Sequence, residues 1–585
     1  MKVTSVWGAD FETTGKENYQ KDGKIRVWLW SLVKSDMSQE YYGTEIETFI
    51  DKIKELDCQI IFFHNLRFDG QSLVNYFIDA GWIYGVDYQL ILSSDGIWYE
   101  IKILSNGKVI KIWDSLKKFP GLSVANLAKM YNYPDKKAKP HFDSYRGLDY
   151  IPTPEEIEYC LQDSRIVAYA IGVEWNKGHT SMTLSSDAFK GVQDSINAEK
   201  GGFWKHWRNY MPELSQEWDS WIRPSYKGGW TYLNPRFAEQ TLENIKVYDV
   251  NSLYPWVMRD TLLPYGNPAK RKPKGGELYI IKFVCDFELN EGYLPMIQIK
   301  GHPDLYKGSE YLTRNKEPAV LTMTNLDYEM FTKHYEVDIL SEPYYVSFRA
   351  KTGLLRDYID KWTQVKIEAT ETGDKALRYI AKRYLNSPYG KTGMKIERVN
   401  RIPIGRDEDG KIIYSSEEVL AEAKYVPYAS FVCAQARKKT IETAQAEYDH
   451  FIYADTDSVH LIGEETSGIE VHDTKLGAWK LEGEFELGKY LRAKTYIHGR
   501  YQYVGAMDNR GMGNLQAKTI EVQEVKCAGM SDNVKNVCTW ERFRIGETFS
   551  PETDGVGKLV QHGVNGGCLL TEMPFTIKEN SWGYL

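Results

Sequence analysis

Cysteine is scarce in this sequence. There are seven among 585 residues, with no C-x-x-C pair and no metal-ligand spacing to histidine. That excludes a disulfide framework and a zinc ribbon, and it leads us to expect reduced thiols in a cytoplasmic setting. Apolar runs of membrane-spanning length are also missing, and Asp10 and Glu12 arrive before any stretch that could serve as a signal peptide. The expectation is a soluble chain with no membrane partner. Basic residues are not in excess: 73 Lys and Arg face 81 Asp and Glu, a net charge of −8. On its face this disfavours nucleic acid as a partner. The exclusion is weak, because chelating carboxylates lower net charge where chemistry occurs while local basic runs still contact phosphate. Such runs occur at Lys117-Lys118, Lys136-Lys137-Ala138-Lys139, Lys270-Arg271-Lys272, Lys382-Arg383 and Arg437-Lys438-Lys439. Repeats and low-complexity tracts are absent too, so solenoids and disordered arrays drop out.

Aromatic residues, by contrast, are abundant at 14%, with 41 tyrosines. Core packing accounts for most, and base stacking is the other use for them. The length exceeds one core and suggests roughly three to five domains. Residues 1 to about 190 alternate strand and helix patterns, an α/β unit. Later come Tyr226-Lys227-Gly228-Gly229, where two glycines permit a sharp turn, a Pro/Gly-studded segment, and a hairpin pattern from Arg401 to Tyr414 around Asp407-Glu408-Asp409-Gly410.

The chemistry concentrates in Tyr453-Ala454-Asp455-Thr456-Asp457-Ser458, flanked by apolar runs. Read as a strand, it sends both acids from one face. Like charges side by side are costly to desolvate without a cation between them, so the spacing indicates a divalent-metal site. Ile245 to Pro255 reads as a buried strand that delivers Asp249, followed by a turn with free amides. Between these acids lies a basic helical pattern with Arg378, Lys382, Asn386 and Tyr389 spaced by four, four and three. One face would carry all four if the helix persists, although Pro388 and Gly390 offer a stop. Alone, this face is better explained by a solvated helix; beside an acidic cluster it suits a triphosphate.

A second acidic constellation lies near the N-terminus. Asp10 and Glu12 repeat the i, i+2 pattern at a strand end, Asp69 follows in His64-Asn65-Leu66-Arg67-Phe68-Asp69-Gly70, and Asp163 lies four residues after Tyr159 in a helical pattern. Four carboxylates can hold two divalent ions, with Tyr159 placed to orient water.

Taken in order, these sets resemble family B DNA polymerases. Asp-x-Glu, Asn-x-x-Phe-Asp and Tyr-x-x-x-Asp are similar to the family's three exonuclease motifs. Asp249-x-x-Ser252-Leu253-Tyr254-Pro255, Lys382-x-x-x-Asn386-Ser387-x-Tyr389-Gly390 and Tyr453-x-Asp455-Thr456-Asp457-Ser458 are similar to its polymerase motifs. Tyr226-x-Gly228-Gly229 and Lys494-x-Tyr496 fit its domain-junction and primer-gripping motifs. The length and two insertions resemble the protein-primed replicases of small tailed bacteriophages, of the phi-twenty-nine type.

The resemblance implies a multidomain α/β and α+β fold, with an RNase H-like 3′-5′ exonuclease and a right-hand polymerase of palm, fingers and thumb. It implies an exonuclease over 1–190, palm over 191–260 and 427–529, fingers over 357–394, and thumb plus a tail over 530–585. The insertion at 261–356 would dock a priming protein, and that at 395–426 would be a strand-displacement hairpin. Asp249 and Asp457 would be the principal metal ligands, with the carbonyl of Val250 assisting and Asp455 nearby. Asp10, Glu12, Asp69 and Asp163 would hold the exonuclease metals, and Lys137 would be its catalytic lysine. Magnesium is the implied metal, two ions per site, with manganese able to substitute. Tyr254 would exclude a 2′-hydroxyl, Lys382 and Arg378 would neutralise the triphosphate, and Asn386 and Tyr389 would border the nascent pair. Asn65, Phe68, Ser115 and Leu116 would hold a frayed primer end, and Tyr226, Gly228, Gly229, Arg437, Lys494 and Tyr496 would contact DNA. The implied partners are template and primer DNA, deoxynucleoside triphosphates and a terminal priming protein, and the implied setting is a monomer in the cytoplasm of a bacterial host.

One position departs from the pattern: Cys433-Ala434-Gln435-Ala436-Arg437 stands where the family shows Thr-x-x-Ala-Arg. Three rivals stay open at this level. They are a nuclease with a DNA-holding scaffold, a DNA-primed polymerase with unrelated insertions, and a non-enzymatic replication platform.

Overall fold

The structure, a computed structural model, describes residues 5–578 other than 57, 106, 134–143, 199–205, 300–304, 306–310, 464–468 and 508–512. Its N-terminal unit is a seven-stranded sheet built from β1 (Val6–Thr13), β2 (Val27–Lys34), β3 (Glu40–Gly43), β4 (Ile60–Phe63), β5 (Tyr88–Leu92), β6 (Trp98–Ser105) and β7 (Lys108–Asp114), in the order β3-β2-β1-β4-β7-β6-β5. The central pairs β1/β4 and β4/β7 are parallel and the flanking strands antiparallel. Apolar residues fill both faces of the middle strands because helices cover both sides. Phe11, Trp30 and Leu32 pack with Phe49, Leu73 and Phe77 on one face. Val6, Phe62 and Trp113 pack with Ile166, Val167 and Ile171 on the other. The helix Pro154–Asn176 starts where Thr153 and Glu156 form a reciprocal capping box with proline in the first turn. It lies so close to β1 that a Cβ at Gly8 would fall 2.7 Å from the carbonyl of Ser164, so glycine there sets the helix-to-sheet distance.

A second seven-stranded sheet carries the other acids. Its strands are β8 (Thr231–Leu233), β9 (Thr241–Val250), β17 (Phe451–Asp455), β18 (Ser458–Ile462), β19 (Trp479–Arg492), β20 (Thr495–Met507) and β21 (Gly513–Cys527), in the order β21-β20-β19-β9-β18-β17-β8. Between β9 and β17 the chain forms a five-stranded sheet from β10 (Leu262–Ala269), β11 (Leu278–Leu289), β12 (Ala319–Thr324), β13 (Tyr335–Ile339) and β14 (Tyr344–Thr352), inside the interval expected as the first insertion. This sheet is not a separate globule: Phe283, Leu321, Phe331 and Phe348 belong to the same buried cluster as Val250, Phe431 and Val459. The helices Arg356–Glu371, Lys375–Asn386 and Pro388–Thr392 follow. Next comes the hairpin β15 (Glu397–Arg406) and β16 (Ile412–Leu420), closed by Asp407 to Gly410 with Gly410 at φ 77°.

The ends of these units meet. Arg406 on the β15–β16 hairpin pairs with Asp79 at 2.7 Å and donates to the carbonyl of Asn75 at 3.0 Å. A C-terminal hairpin, Lys558–Val564 with Gly567–Met573, places the carbonyl of Asn565 on the amide of Ile25 at 2.9 Å. Among the described residues no helix is long and apolar enough to cross a membrane.

Candidate active sites

At the edge of the second sheet, register brings remote residues into one row. Asp249 on β9 stands opposite Ser458 on β18, Ser458 opposite Asp455 on β17, and Asp455 opposite Thr231 on β8. Facing residues in neighbouring strands share a face, so Asp249 and Asp455 emerge together, on the side away from the main core. Asp457 arrives differently from the expectation. β17 ends at Asp455, and Thr456-Asp457 form a two-residue turn with Thr456 at φ 63°. Strand alternation therefore does not orient Asp457; the turn does. The carbonyl of Asp457 accepts the amide of Val250 at 2.8 Å and its amide donates to the carbonyl of Asp455 at 2.7 Å, which pins the turn against the end of β9.

The three acids are not equivalent. The carboxylate of Asp455 accepts the Thr231 hydroxyl at 2.9 Å and pairs with Lys494 at 3.4 Å. Burial, then the neighbouring Asp457 and Glu482, push Asp249 up to about 7, against the opposing pull of Lys382 and Lys480. Burial with Asp455 and Glu482 also raises Asp457, although its own backbone N–H works the other way. Carboxylates that raise one another are short of positive charge, and an all-oxygen donor set suits a hard divalent cation. They line a cleft of about 520 Å³ together with Glu482, Lys494, Tyr496 and Lys526.

Above the row stands the basic helix Lys375–Asn386, with Arg378, Lys382 and Asn386 exposed along one side. The helix stops at Asn386, so Tyr389 does not extend that face. It belongs to the short helix Pro388–Thr392 and stacks on Tyr254 with centroids 4.4 Å apart and 20° between planes. Tyr254 is in the first turn of the helix Leu253–Asp260, entered through Ser252 in the left-handed region at φ 54°. Cys433 is only 2% exposed and lies beside Tyr254, so position 433 supports the tyrosine pair and does not reach the cleft surface.

Two residues expected to touch DNA face inward. Arg437 is buried, forms a bidentate pair with Asp327 at 2.8–2.9 Å and donates to the carbonyls of Lys227 and Gly228, each at 2.8 Å. Its guanidinium donors are spent inside the protein, where they hold the Tyr226 to Gly229 turn. That turn abuts the β17–β18 hairpin: a Cβ on Gly229 would collide with Thr456, while the carbonyl of Trp230 accepts the Thr456 amide at 2.9 Å. Ser115 is fully buried, with Oγ 2.8 Å from His64 Nδ1, so it shapes its loop and leaves the surface to Leu116. Gly228 is open, Tyr226 is partly buried against Gly393, and Tyr496 packs among Tyr453, His460 and His498.

In the N-terminal unit, Asp10 and Glu12 share one face of β1, and potential ligand atoms of Asp10, Glu12 and Cys160 lie within 4.8 Å of one another. Tyr159 and Asp163 come from the same helix as Cys160, whose thiol is raised by burial with contributions from Asp10, Glu12 and Asp163. Asp69 opens the helix Leu66–Asp79 and accepts the N–H of Phe11, the residue between Asp10 and Glu12. Burial, helped by Asp114, pushes Asp69 up to about 8. Asn65, at φ 71°, and half-buried Phe68 flank the cluster. Lys137 lies outside the described residues.

Sequence reasoning missed three side chains here. Glu482 enters the cleft because a register shift between Leu481 and Gly483 bulges β19. Lys366, on the helix Arg356–Glu371, is close enough to Lys382 and Arg378 that burial and their charge lower its pKa. Asp114 accepts the amides of Asn65 at 3.1 Å and Leu116 at 3.0 Å, tying two expected strand-holding segments to one carboxylate. The hydrophobic periodicity of β19 hides the bulge, and the other two depend on contacts between separate elements of one unit, helix against helix for Lys366 and strand end against helix start for Asp114. A further cleft of about 530 Å³, between Arg26, Tyr76 and Gly566, lies away from the acid row.

The raised acids set a pH dependence. Asp249 and Asp69 bind protons more tightly folded than at their ordinary value of 3.8, so without a cation the folded state loses stability as pH climbs through the window between that value and about 7 to 8. In chelator, this contribution should lower the melting temperature from about pH 4.5 to about pH 8 and level off above that, and a divalent cation should remove most of the fall. A flat profile with and without cation would contradict the assignment.

An acid row under a basic helix, with a second acid cluster on an RNase H-like sheet, defines a nucleotide polymerase with an attached nuclease fold. The sequence profile of the DNA polymerases type B, organellar and viral, matches residues 141–475. The DNA polymerase of Bacillus phage M2 is 37% identical across 98% of this chain and 99% of its own length, that of Bacillus phage phi29 36% across 98% and 99%, and that of Streptococcus phage Cp-1 30% across 99% and 100%. The structure of phi29 DNA polymerase complexed with primer-template DNA and incoming nucleotide substrates superposes with TM-score 0.85 at 35% identity, covering 98% of this chain and 100% of that one. The chain belongs to the type B DNA polymerases, in the phi29-type group of phage enzymes, and is a DNA-directed DNA polymerase dependent on divalent metal.

Proposed function

We propose that this polymerase extends a primer on a DNA template from deoxynucleoside triphosphates, starts from a terminal priming protein, displaces the strand ahead and proofreads in the 3′-5′ direction. The observation that carries it is the row Asp249-Ser458-Asp455, with Asp457 pinned beside it and Lys382 above. Asp249, Asp457 and the carbonyl of Val250 would hold two magnesium ions, which when bound supply the charge that activates the primer 3′-hydroxyl and steadies the pyrophosphate. Lys382, Arg378 and Lys366 neutralise the triphosphate, and Tyr254, braced by Tyr389, sits where a 2′-hydroxyl would clash. Lys494 bridges the acid row to the primer strand. The protein's own contribution is position and fixed charge.

In the exonuclease, Asp10, Glu12, Asp69 and Asp163 form the cation-binding set, Tyr159 orients water, and Asn65, Phe68 and Leu116 grip a melted primer end, which a mispair supplies at lower cost. The domain intervals given by the family pattern are part of this reading. The joined ends of the β15–β16 hairpin, the C-terminal hairpin and the exonuclease support processive, strand-displacing synthesis, because strands held among linked elements do not leave easily. The host-cell cytoplasm and a monomeric state complete it.

Priming is tested by incubating the polymerase with its cognate terminal protein, template and one labelled deoxynucleotide. Template-dependent label on the protein is expected. Extension of DNA primers without any such label would leave a DNA-primed enzyme.

A further inference from the structure

The basic helix Lys375–Asn386 has a second, unassigned face. Tyr379 and Arg383, four apart, leave it together. The Tyr379 hydroxyl donates to the carbonyl of Pro120 at 2.9 Å and the Arg383 guanidinium donates to the same carbonyl at 3.2 Å. Pro120 belongs to the exonuclease unit, more than 250 residues earlier in the chain. It stands at the apex of the loop that carries Ser115 and Leu116.

That loop is rigid from its base to Pro120. Lys118 and Phe119 both donate backbone bonds to Ser115 at 2.9 Å, and Phe119 is fully buried. His64 staples both ends, with Nδ1 at 2.8 Å from Ser115 Oγ and Nε2 at 2.9 Å from the carbonyl of Leu122. Asp114 joins the base of the loop to Asn65. A displacement of Pro120 therefore moves Leu116 as part of one body, and only the helix holds Pro120 from the polymerase side through side-chain bonds among the described residues.

The front of the same helix faces a third cation, Lys366. Arg378 and Lys382 repel Lys366 across the gap, since all three are cations. A polyanion between them replaces repulsion by attraction and draws the helix toward Lys366. One helix would thus be pulled on its front by nucleotide while it is bonded on its back to the nuclease loop, the arrangement that couples two sites.

We propose that Tyr379 and Arg383 are positioning residues for proofreading, through which the nucleotide-binding helix holds the primer-gripping loop at Pro120 and makes the nuclease sense nucleotide occupancy. This rests on the nuclease and nucleotide assignments given above. It differs from them in naming the link and not the sites.

The test uses the full chain with Tyr379→Phe and Arg383→Leu combined, and Arg383→Lys as the conservative control. Degradation of a single-stranded oligonucleotide should show KM raised about fivefold or more with kcat little changed, because the gripping loop loosens while the acids stay in place. On a primed template, the deoxynucleotide concentration that protects half of the primer ends should shift by about fivefold or more. Incorporation on a matched primer with saturating nucleotide should stay within about twofold of the parent. Arg383→Lys should recover part of both shifts. Unchanged nuclease KM and an unchanged protection point would overturn the link, as would a parallel loss of both activities with a lowered Tm. If the parent chain itself fails to digest single strands, the nuclease assignment fails first, and the two failures are thereby told apart.

Discussion

Replacing Asp457 by Asn should reduce nucleotide incorporation by about a thousandfold or more, equivalent to about 4 kcal/mol of lost transition-state stabilisation, while digestion of single-stranded DNA stays near the parent rate. The change keeps the size of the side chain and the backbone bonds from Asp457 to Val250 and Asp455, so the turn should persist and only the charge disappear. Asp249→Asn should behave alike. Asp455→Asn should be milder, because that carboxylate is already engaged by Thr231 and Lys494. Primer extension and strand digestion, measured on one preparation, check all three. Loss of digestion in parallel with incorporation would mean that the two acid clusters do not act independently.

The second large effect is on stability. Asp327→Ala should destabilise the protein by about 3–5 kcal/mol, because it strands the Arg437 guanidinium without its charge partner in a buried site. The two side chains are 6% and 7% exposed and meet at 2.8 Å. Replacing both, as Asp327→Leu with Arg437→Met, should recover most of that stability, since no buried charge is left. It should not recover polymerase activity, because the carbonyls of Lys227 and Gly228 also lose their donor and the turn against Thr456 loosens. Denaturant unfolding paired with primer extension separates the two contributions. If the double variant regained full activity, Arg437 would have no part in holding the turn.

The carboxylates were legible because a strand that ends in acids is conspicuous among apolar neighbours. Glu12, Asp249 and Asp455 stand at strand ends as their local pattern indicates, whereas Asp10 lies in the middle of β1, which runs on to Thr13. Asp457 was found for a partly mistaken reason: two-residue alternation places it on a strand, whereas Thr456 adopts a left-handed conformation and turns the chain there. Arg437 resembled a DNA contact because its partner, Asp327, lies 110 positions away in the helix Asn325–His334, and no local spacing records such a pair. The same holds for Ser115, whose hydroxyl is taken by His64 from another strand end. Glu482 depends on a bulge, and bulges leave weak sequence traces when the flanking residues still alternate. The β15–β16 hairpin was legible from its Asp-Gly turn, but its bond to Asp79 was not.

The core shared by the five-stranded sheet bears on how such an enzyme can be shortened. The segment from β10 to β14 supplies Asp327 to the clamp on the Tyr226 to Gly229 turn and buries Phe331 and Phe348 with Phe431, so it behaves as a keystone and not as an accessory wing. Excising it would expose the flank of the helix Val426–Ala446 and release Arg437. The β15–β16 ribbon forms its own two-stranded sheet, yet it plants Ile412 in the core of the N-terminal unit and ties Arg406 to Asp79, so a cut there would loosen the N-terminal sheet and leave the acid row of the second sheet in place.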